Sequence, residues 1–274
     1  SLWDFMREEN IVKLFSDMAP LPMVDIGHMN IPNVTHLKID SSSAITQLME
    51  HLVKKHGYTK FAFFGADVSQ PHWNRLFTYR SNLKKHGLQE LPDSVYICRS
   101  MSEKHILEKT EELLKHYTLS QKKELDCIIT TTDIIAAILI EQLNARGVSV
   151  PKVIAVTGFN NWYEGITARS PLTTIDLSYY DRGYAAIEVL IDKIATQTRK
   201  EETILFPTKL VIRQSCGCME NEITAAGDHN TPKEELTFDF SRDFSEIELR
   251  EYLATTLKQN FQEQGRAEIE QWID

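Results

Sequence analysis

Two adjoining stretches decide the fold: Leu125–Asp133, LDCIITTTD, and Pro151–Asp176, PKVIAVTGFNNWYEGITARSPLTTID. In each, a short apolar run rich in β-branched residues stops abruptly in a polar cluster. Between them lies a helical repeat, Ile134–Arg146, closed by Gly147. Strand, helix and strand at this spacing make a parallel crossover, since parallel neighbours cannot be joined by a tight turn. Ligands of open parallel sheets bind just beyond the carboxyl ends of the strands. Thr130-Thr131-Thr132-Asp133 and Phe159-Asn160-Asn161-Trp162-Tyr163 both fall at such ends, so the two stretches predict a cleft for a small molecule.

Working outward, Trp3–Met18 carries a helical stripe and Met23–Ile26 reads as a short strand. Asp40-Ser41-Ser42-Ser43 offers caps for a helix over Ala44–His56, which Gly57 closes. Lys60–Phe64 reads as a buried strand, Trp73–His86 as a helix, Val95–Cys98 as a strand, and Ser102 opens a helix to about Tyr117. On the far side come a short extended piece over Thr173–Asp176 and a long amphipathic helix over Tyr180–Thr196. Strands over Thr203–Phe206 and Lys209–Arg213 follow. The alternation predicts an α/β fold with mostly parallel sheet flanked by helices. After Cys218, residues 219–244 read as a linker. Residues 245–274 return to an amphipathic helix, with Leu249, Leu253, Leu257 and Phe261 four apart, a stripe that must pack on a partner or a following domain.

Composition narrows the class. At 42% apolar and 25% charged residues, the 274-residue chain is of ordinary globular make-up. No apolar run approaches the ~20 residues of a membrane span, and no basic, apolar leader is present. Cys98, Cys127, Cys216 and Cys218 form no disulfide framework. The expected compartment is the reducing cytoplasm, with no membrane partner. The net charge of −9 sits in the tail: residues 219–274 hold 14 Asp/Glu against 5 Lys/Arg, leaving 25 of each in 1–218. A nucleic-acid-binding domain normally shows a basic face, so DNA contact is expected only through a domain outside these residues.

Motifs for nucleotide, zinc and hydrolase chemistry (GxGxxG, the P-loop, HExxH, GxSxG) do not occur. No nucleophile–base set is evident, so the chain reads as non-catalytic, with no cofactor. Cys216-Gly217-Cys218 offers too few ligands for a structural metal site by itself and reads as a tight strand end. The nine histidines do not cluster at metal spacing: His28 and His36 read as loop residues, while His51 and His56 are five apart on one helix. Asp25, Asp40 and Asp176 fit loop or cap roles. Arg75 is more pointed. It opens the helix that follows the Lys60–Phe64 strand, two residues after Trp73, where a guanidinium fork beside an aromatic suits a planar or hydroxylated ligand. A surface arginine beside a packing tryptophan fits the spacing equally well. Trp162 and Tyr163 would line a pocket or pack over a sheet edge.

Several segments follow one another in a telling order: LPMV (21–24), His51-Leu52 with Gly57, KFAFFG (60–65), Arg75 with Tyr79, TTD (131–133), VPKVIAVTGFN (150–160), PLTTID (171–176) and LVIRQSCGC (210–218). Together they resemble the effector-binding domain of the LacI/GalR family, which has the type I periplasmic-binding-protein-like fold. The RQSCGC ending is similar to the subset fused to bacterial signalling or DNA-binding output domains. The resemblance implies two α/β lobes around a ligand cleft. A domain over 21–218 would hold one complete lobe (about 60–159) and one partial lobe (about 21–59 and 171–215), with residues 1–20 a leading helix. The partial lobe lacks strand–helix units that the family has ahead of LPMV.

Carried over residue by residue, Arg75 matches the family's sugar-contacting arginine. Asp133 matches an aspartate after the strand, with Thr132 where asparagine is usual, and Asn160 stands where an aspartate is common. With Trp73 and Trp162 these make the expected ligand-binding set. The implied role is that of a small-molecule sensor of a LacI-like transcriptional regulator, signalling by lobe closure as a homodimer, its effector a sugar or related polar metabolite. The alternatives are the sensor of a histidine kinase or diguanylate cyclase, or a ligand-free dimerisation module.

Overall fold

The computed structural model describes residues 22–27, 31–67, 70–117, 124–198 and 201–218, together with Lys13. Apart from Lys13, the expected leading helix lies outside the described residues, as do the linker over 219–244 and the terminal helix over 245–274.

Strand formation follows the apolar runs. β3 (Phe61–Ala66), β4 (Val95–Cys98), β5 (Cys127–Thr130) and β6 (Ala155–Thr157) form a four-stranded parallel sheet in the order β4-β3-β5-β6. β3 and β5 are buried along their whole length, which is why they read as continuous apolar runs rather than as alternation. Side chains of a strand point alternately to opposite faces. Ala62, Phe64, Ile128 and Val156 accordingly enter one core, with Ile106 and Leu113 of α3 (Glu103–His116) and Ile135, Leu139 and Leu143 of α4 (Asp133–Ala145). Phe61, Phe63, Cys127, Ile129 and Ala155 enter the other, with α1 (Ser41–His56) and α2 (Gln70–Lys85).

α1 shows how the sequence sets one element. The Asp40 carboxylate accepts from the Ser43 amide at 2.9 Å. Gly57, at φ 65°, ends the helix by sending its N–H back to Leu52 and Val53. The face that α1 buries is Ala44, Ile45, Leu48, Met49 and Leu52, and each of its large side chains contributes about 1.5–3 kcal/mol on leaving water. That face joins the core of the four-stranded sheet. The sequence reading put this helix in the partial lobe; packing corrects it, because the apolar stripe follows the larger sheet.

A second, smaller sheet holds β1 (Val24–Asp25), β2 (Thr35–Ile39) and β8 (Glu202–Phe206), all parallel. Leu37 and Phe206 pack there against Ala185, Ala186 and Val189 of α6 (Tyr179–Thr196). β2 corrects the loop expected around His36. His36 is 3% exposed in this strand, its ring Nδ1 3.0 Å from Asp25 Oδ2 and Nε2 3.0 Å from the Ile31 carbonyl oxygen. Both ring nitrogens have partners, so a polar residue is tolerated in a buried strand. One pairing departs from the parallel expectation: β7 (Thr174–Asp176) is antiparallel to β9 (Lys209–Val211). Isolated bridges Thr157–Thr173 and Asn160–Asp176 tie this returning segment to the end of β6.

Candidate functional site

The loops at the carboxyl ends of both parallel sheets converge on a recess of about 160 Å³. Ile39 reaches it from the end of β2, His72 and Arg75 from the start of α2, and Met101 from the turn after β4. Thr132 comes from the turn after β5, Asn160 and Trp162 from the loop after β6, and Leu177, Tyr179 and Arg182 from the segment after β7. Four of the six expected ligand-binding residues therefore line one recess: Arg75, Thr132, Asn160 and Trp162.

The other two stand elsewhere. The Trp73 indole donates to Asp67 Oδ1 at 3.0 Å and packs on the core, away from the recess wall. Asp133 lies beneath the wall, wholly buried. Its Oδ1 accepts from Thr174 Oγ at 2.6 Å and its Oδ2 from the Trp162 amide at 2.6 Å. Burial pushes its carboxyl up to about 6, against the opposing pull of those two hydrogen bonds. Gly158 and Gly165 face the same carboxylate so closely that a methyl group on either would collide with it. Asp133 thus fixes the loop that carries Asn160 and Trp162. It stands at the expected end of the strand but directs its oxygens into the fold.

Arg75 is 5% exposed. Its Nη1 donates to the Thr131 carbonyl at 2.6 Å, and Cζ sits 3.7 Å from the centroid of the Phe159 ring. Burial draws its pKa down to about 10, and Nε has no hydrogen-bond partner. Arg182, one turn into α6, is 6% exposed, with Cζ 5.3 Å from the centroid of the Tyr179 ring. Its Nε and Nη1 have no partner, and neither has Asn160 Oδ1. Buried polar atoms are normally paired. Three lining residues with unpaired donors or acceptors make a wall that a polar molecule would satisfy.

Asn160 and Asn161 adopt φ values of 105° and 57°, a left-handed conformation that asparagine accepts more readily than most residues. Asn161 Oδ1 accepts from Arg213 Nη2 at 2.7 Å, and Arg213 Nη1 donates to the Leu172 carbonyl at 2.9 Å. Thr132 Oγ caps α4 by accepting from the Ile135 amide at 3.3 Å. His72 Nδ1 is 2.9 Å from Thr131 Oγ.

Sequence reasoning missed Arg182, although the signal was the one that flagged Arg75: an arginine in the first turns of a helix that follows a strand. A larger depression, about 510 Å³, lies on the outer face between α4 and α5 (Tyr163–Thr167). Among the described residues, none of the unpaired buried polar atoms belongs to its lining. At the amino ends of the strands, His51, His56, Cys216 and Cys218 meet, which corrects the expectation that the histidines do not cluster. The chain brings the pairs together across about 160 residues, a closeness that spacing cannot show.

A family model described as a periplasmic binding protein-like domain matches residues 49–216. Among curated proteins, the chain is 27% identical over 208 residues to the HTH-type transcriptional repressor MelR of Bacillus subtilis, covering 73% of this chain and 58% of that protein. It is 26% identical over 216 residues to catabolite control protein A of Priestia megaterium, covering 77% and 61%. The chain thus spans about three-fifths of the length of these relatives. Among solved structures, a LacI regulator from Bacillus cereus subsp. cytotoxis superposes with a TM-score of 0.63 at 25% identity, covering 76% of this chain and 72% of that one. A LacI family regulator from Lactobacillus casei with bound sucrose superposes at 0.61 and 21% identity, covering 76% and 75%, a likeness of fold alone. With more than half of its length matched by the family model, the chain belongs to the periplasmic binding protein-like domain family, and it is similar in sequence and fold to a LacI-type transcriptional regulator.

Proposed function

We propose that the chain is the ligand-sensing part of a LacI-like transcriptional regulator and that its effector binds in the recess walled by Arg75, Thr132, Asn160, Trp162 and Arg182. The observation that carries this reading is the set of buried, unpartnered polar atoms on that wall: Arg75 Nε, Arg182 Nε and Nη1, and Asn160 Oδ1. Guanidinium donors bind hydroxyl, carboxylate or phosphate oxygens, and an amide oxygen accepts from a hydroxyl. The effector is therefore a small hydroxylated molecule. No aspartate or glutamate is among the lining residues, so the two guanidiniums favour one that also carries a negative charge, such as a sugar phosphate or sugar acid. Proteins of the same fold solved with bound sucrose and in complex with cellobiose are compatible with the hydroxylated part of this reading.

Binding acts as a regulatory signal, not as catalysis. The wall draws on both sheets, so a ligand that bridges them favours a closed arrangement by its differential affinity. DNA contact belongs to residues outside this chain, in a cytoplasmic homodimer. The domain runs over about 21–218, with residues 219–274 leading on to the rest of the protein. A thermal-shift panel of neutral sugars, sugar phosphates and sugar acids tests the reading. Stabilisation by the phosphates or acids, abolished in Arg182→Ala, is expected. Stabilisation by none of them, or equal stabilisation of the variant, contradicts it.

A further inference from the structure

The amino end of the four-stranded sheet carries a second constellation, unrelated to the recess. His51 and His56 sit on the last turns of α1, and Cys216 and Cys218 end the described chain beside a 3-10 turn over Gln214–Cys216. One ligand atom from each lies within 4.8 Å of every other. His51 Nε2 is 3.3 Å from His56 Nε2 and 3.6 Å from both sulfur atoms, and His56 Nε2 is 3.4 Å from Cys218 Sγ. A tetrahedral zinc ion, ~2.0–2.1 Å from nitrogen and ~2.3 Å from sulfur, separates two nitrogens by about 3.3 Å and nitrogen from sulfur by about 3.6 Å. The spacings found are those of a Cys₂His₂ zinc site.

We propose that His51, His56, Cys216 and Cys218 bind one zinc ion, which pins the segment leaving the sensing domain to the end of α1. Local structure is arranged for it. Gly217, at φ 100°, turns the chain between the cysteines, and a methyl group there would sit 3.0 Å from the Tyr58 hydroxyl. Tyr58 donates to the Cys216 carbonyl at 3.0 Å and stacks on the His56 ring at 5.1 Å, orienting two ligands at once. Both cysteines are thiols and both are buried. On binding, each gives its proton to solvent, Cys216 Sγ exchanges its hydrogen bond to the Arg213 carbonyl for the metal, and two thiolates neutralise the divalent charge. Two thiolates with two imidazoles select a borderline-soft tetrahedral cation over magnesium or calcium, which prefer oxygen.

The test uses the full 274-residue chain, reduced and freed of metal by a chelator, then titrated with zinc and with cobalt(II). Expected are one zinc per chain by elemental analysis and a cobalt spectrum with sulfur-to-metal charge transfer and tetrahedral d–d bands. Both should be lost in Cys218→Ser and His51→Asn and kept in Cys98→Ser, with far-UV circular dichroism confirming that each variant is folded. Tyr58→Phe should weaken zinc about tenfold while keeping the tetrahedral spectrum. Absence of stoichiometric zinc in the wild type, an octahedral cobalt spectrum, or equal retention by folded Cys218→Ser overturns the proposal. None of these readouts involves the effector recess.

Discussion

Replacing Gly158 by alanine puts a methyl group where the structure holds the Asp133 carboxylate. The added Cβ would lie 3.0 Å from Asp133 Cγ, closer still to Oδ1, and 3.1 Å from Leu172 Cδ1. Asp133 is 0% exposed and its two oxygens are each held by a 2.6 Å hydrogen bond, so it has nowhere to retreat without breaking one. Overpacking alone costs about 1–3 kcal/mol, and a hydrogen bond to a charged group is worth about 1.5–3 kcal/mol. The expected loss is about 4 kcal/mol, seen by urea denaturation followed by circular dichroism, with Tm falling by about 10 °C. The same change in an Asp133→Ala background, where the obstruction is gone, should cost less than about 1 kcal/mol, a coupling that a double-mutant cycle isolates. A wild-type-like Gly158→Ala protein, or one whose loss is the same in both backgrounds, refutes the role given to Asp133.

Asp133 also predicts a pH dependence. Its folded pKa of about 6 exceeds the ~3.9 of an unfolded aspartate. Its stabilisation is therefore complete below pH ~4 and is lost as pH rises through about 6, by about 3 kcal/mol. Asp133→Asn lacks this loss, so urea titrations should show the variant gaining on the wild type by that amount between pH 4 and 7; parallel profiles contradict it. Leu52→Ala empties a fully buried site shared by α1 and the larger sheet and should cost about 2–5 kcal/mol by the same assay. Arg182→Ala removes two nitrogens that bond nothing in the protein. Stability should change by less than about 1 kcal/mol while calorimetric affinity for a sugar phosphate or sugar acid falls at least tenfold.

Burial decided what the sequence disclosed. β3 and β5 were legible because strands covered on both faces leave unbroken apolar runs. β2 was not, because Thr35-His36-Leu37-Lys38-Ile39 mixes polar residues into a strand whose histidine is satisfied by Asp25, a partner eleven residues away. The gathering of Arg75, Thr132, Asn160 and Trp162 around one recess was legible because their place at strand ends is a property of chain order. Asp133 occupies the same kind of place, yet whether an aspartate faces the cleft or the fold depends on Thr174 and the Trp162 amide, which only the folded chain brings near. The histidine–cysteine cluster was hidden for the same reason. His51 and His56 gain meaning only when Cys216 and Cys218 return to them, and Gly217 supplies the turn that allows it.

The recess at the strand ends is tested most directly by a crystal structure of the chain with whichever sugar phosphate or sugar acid stabilises it. The account requires ligand density within hydrogen-bond reach of Arg75 Nε, Arg182 Nη1 and Asn160 Oδ1, buried polar atoms of three lining residues that have no partner in the fold. Density on the outer depression between α4 and α5, with those atoms still unpaired, would contradict it.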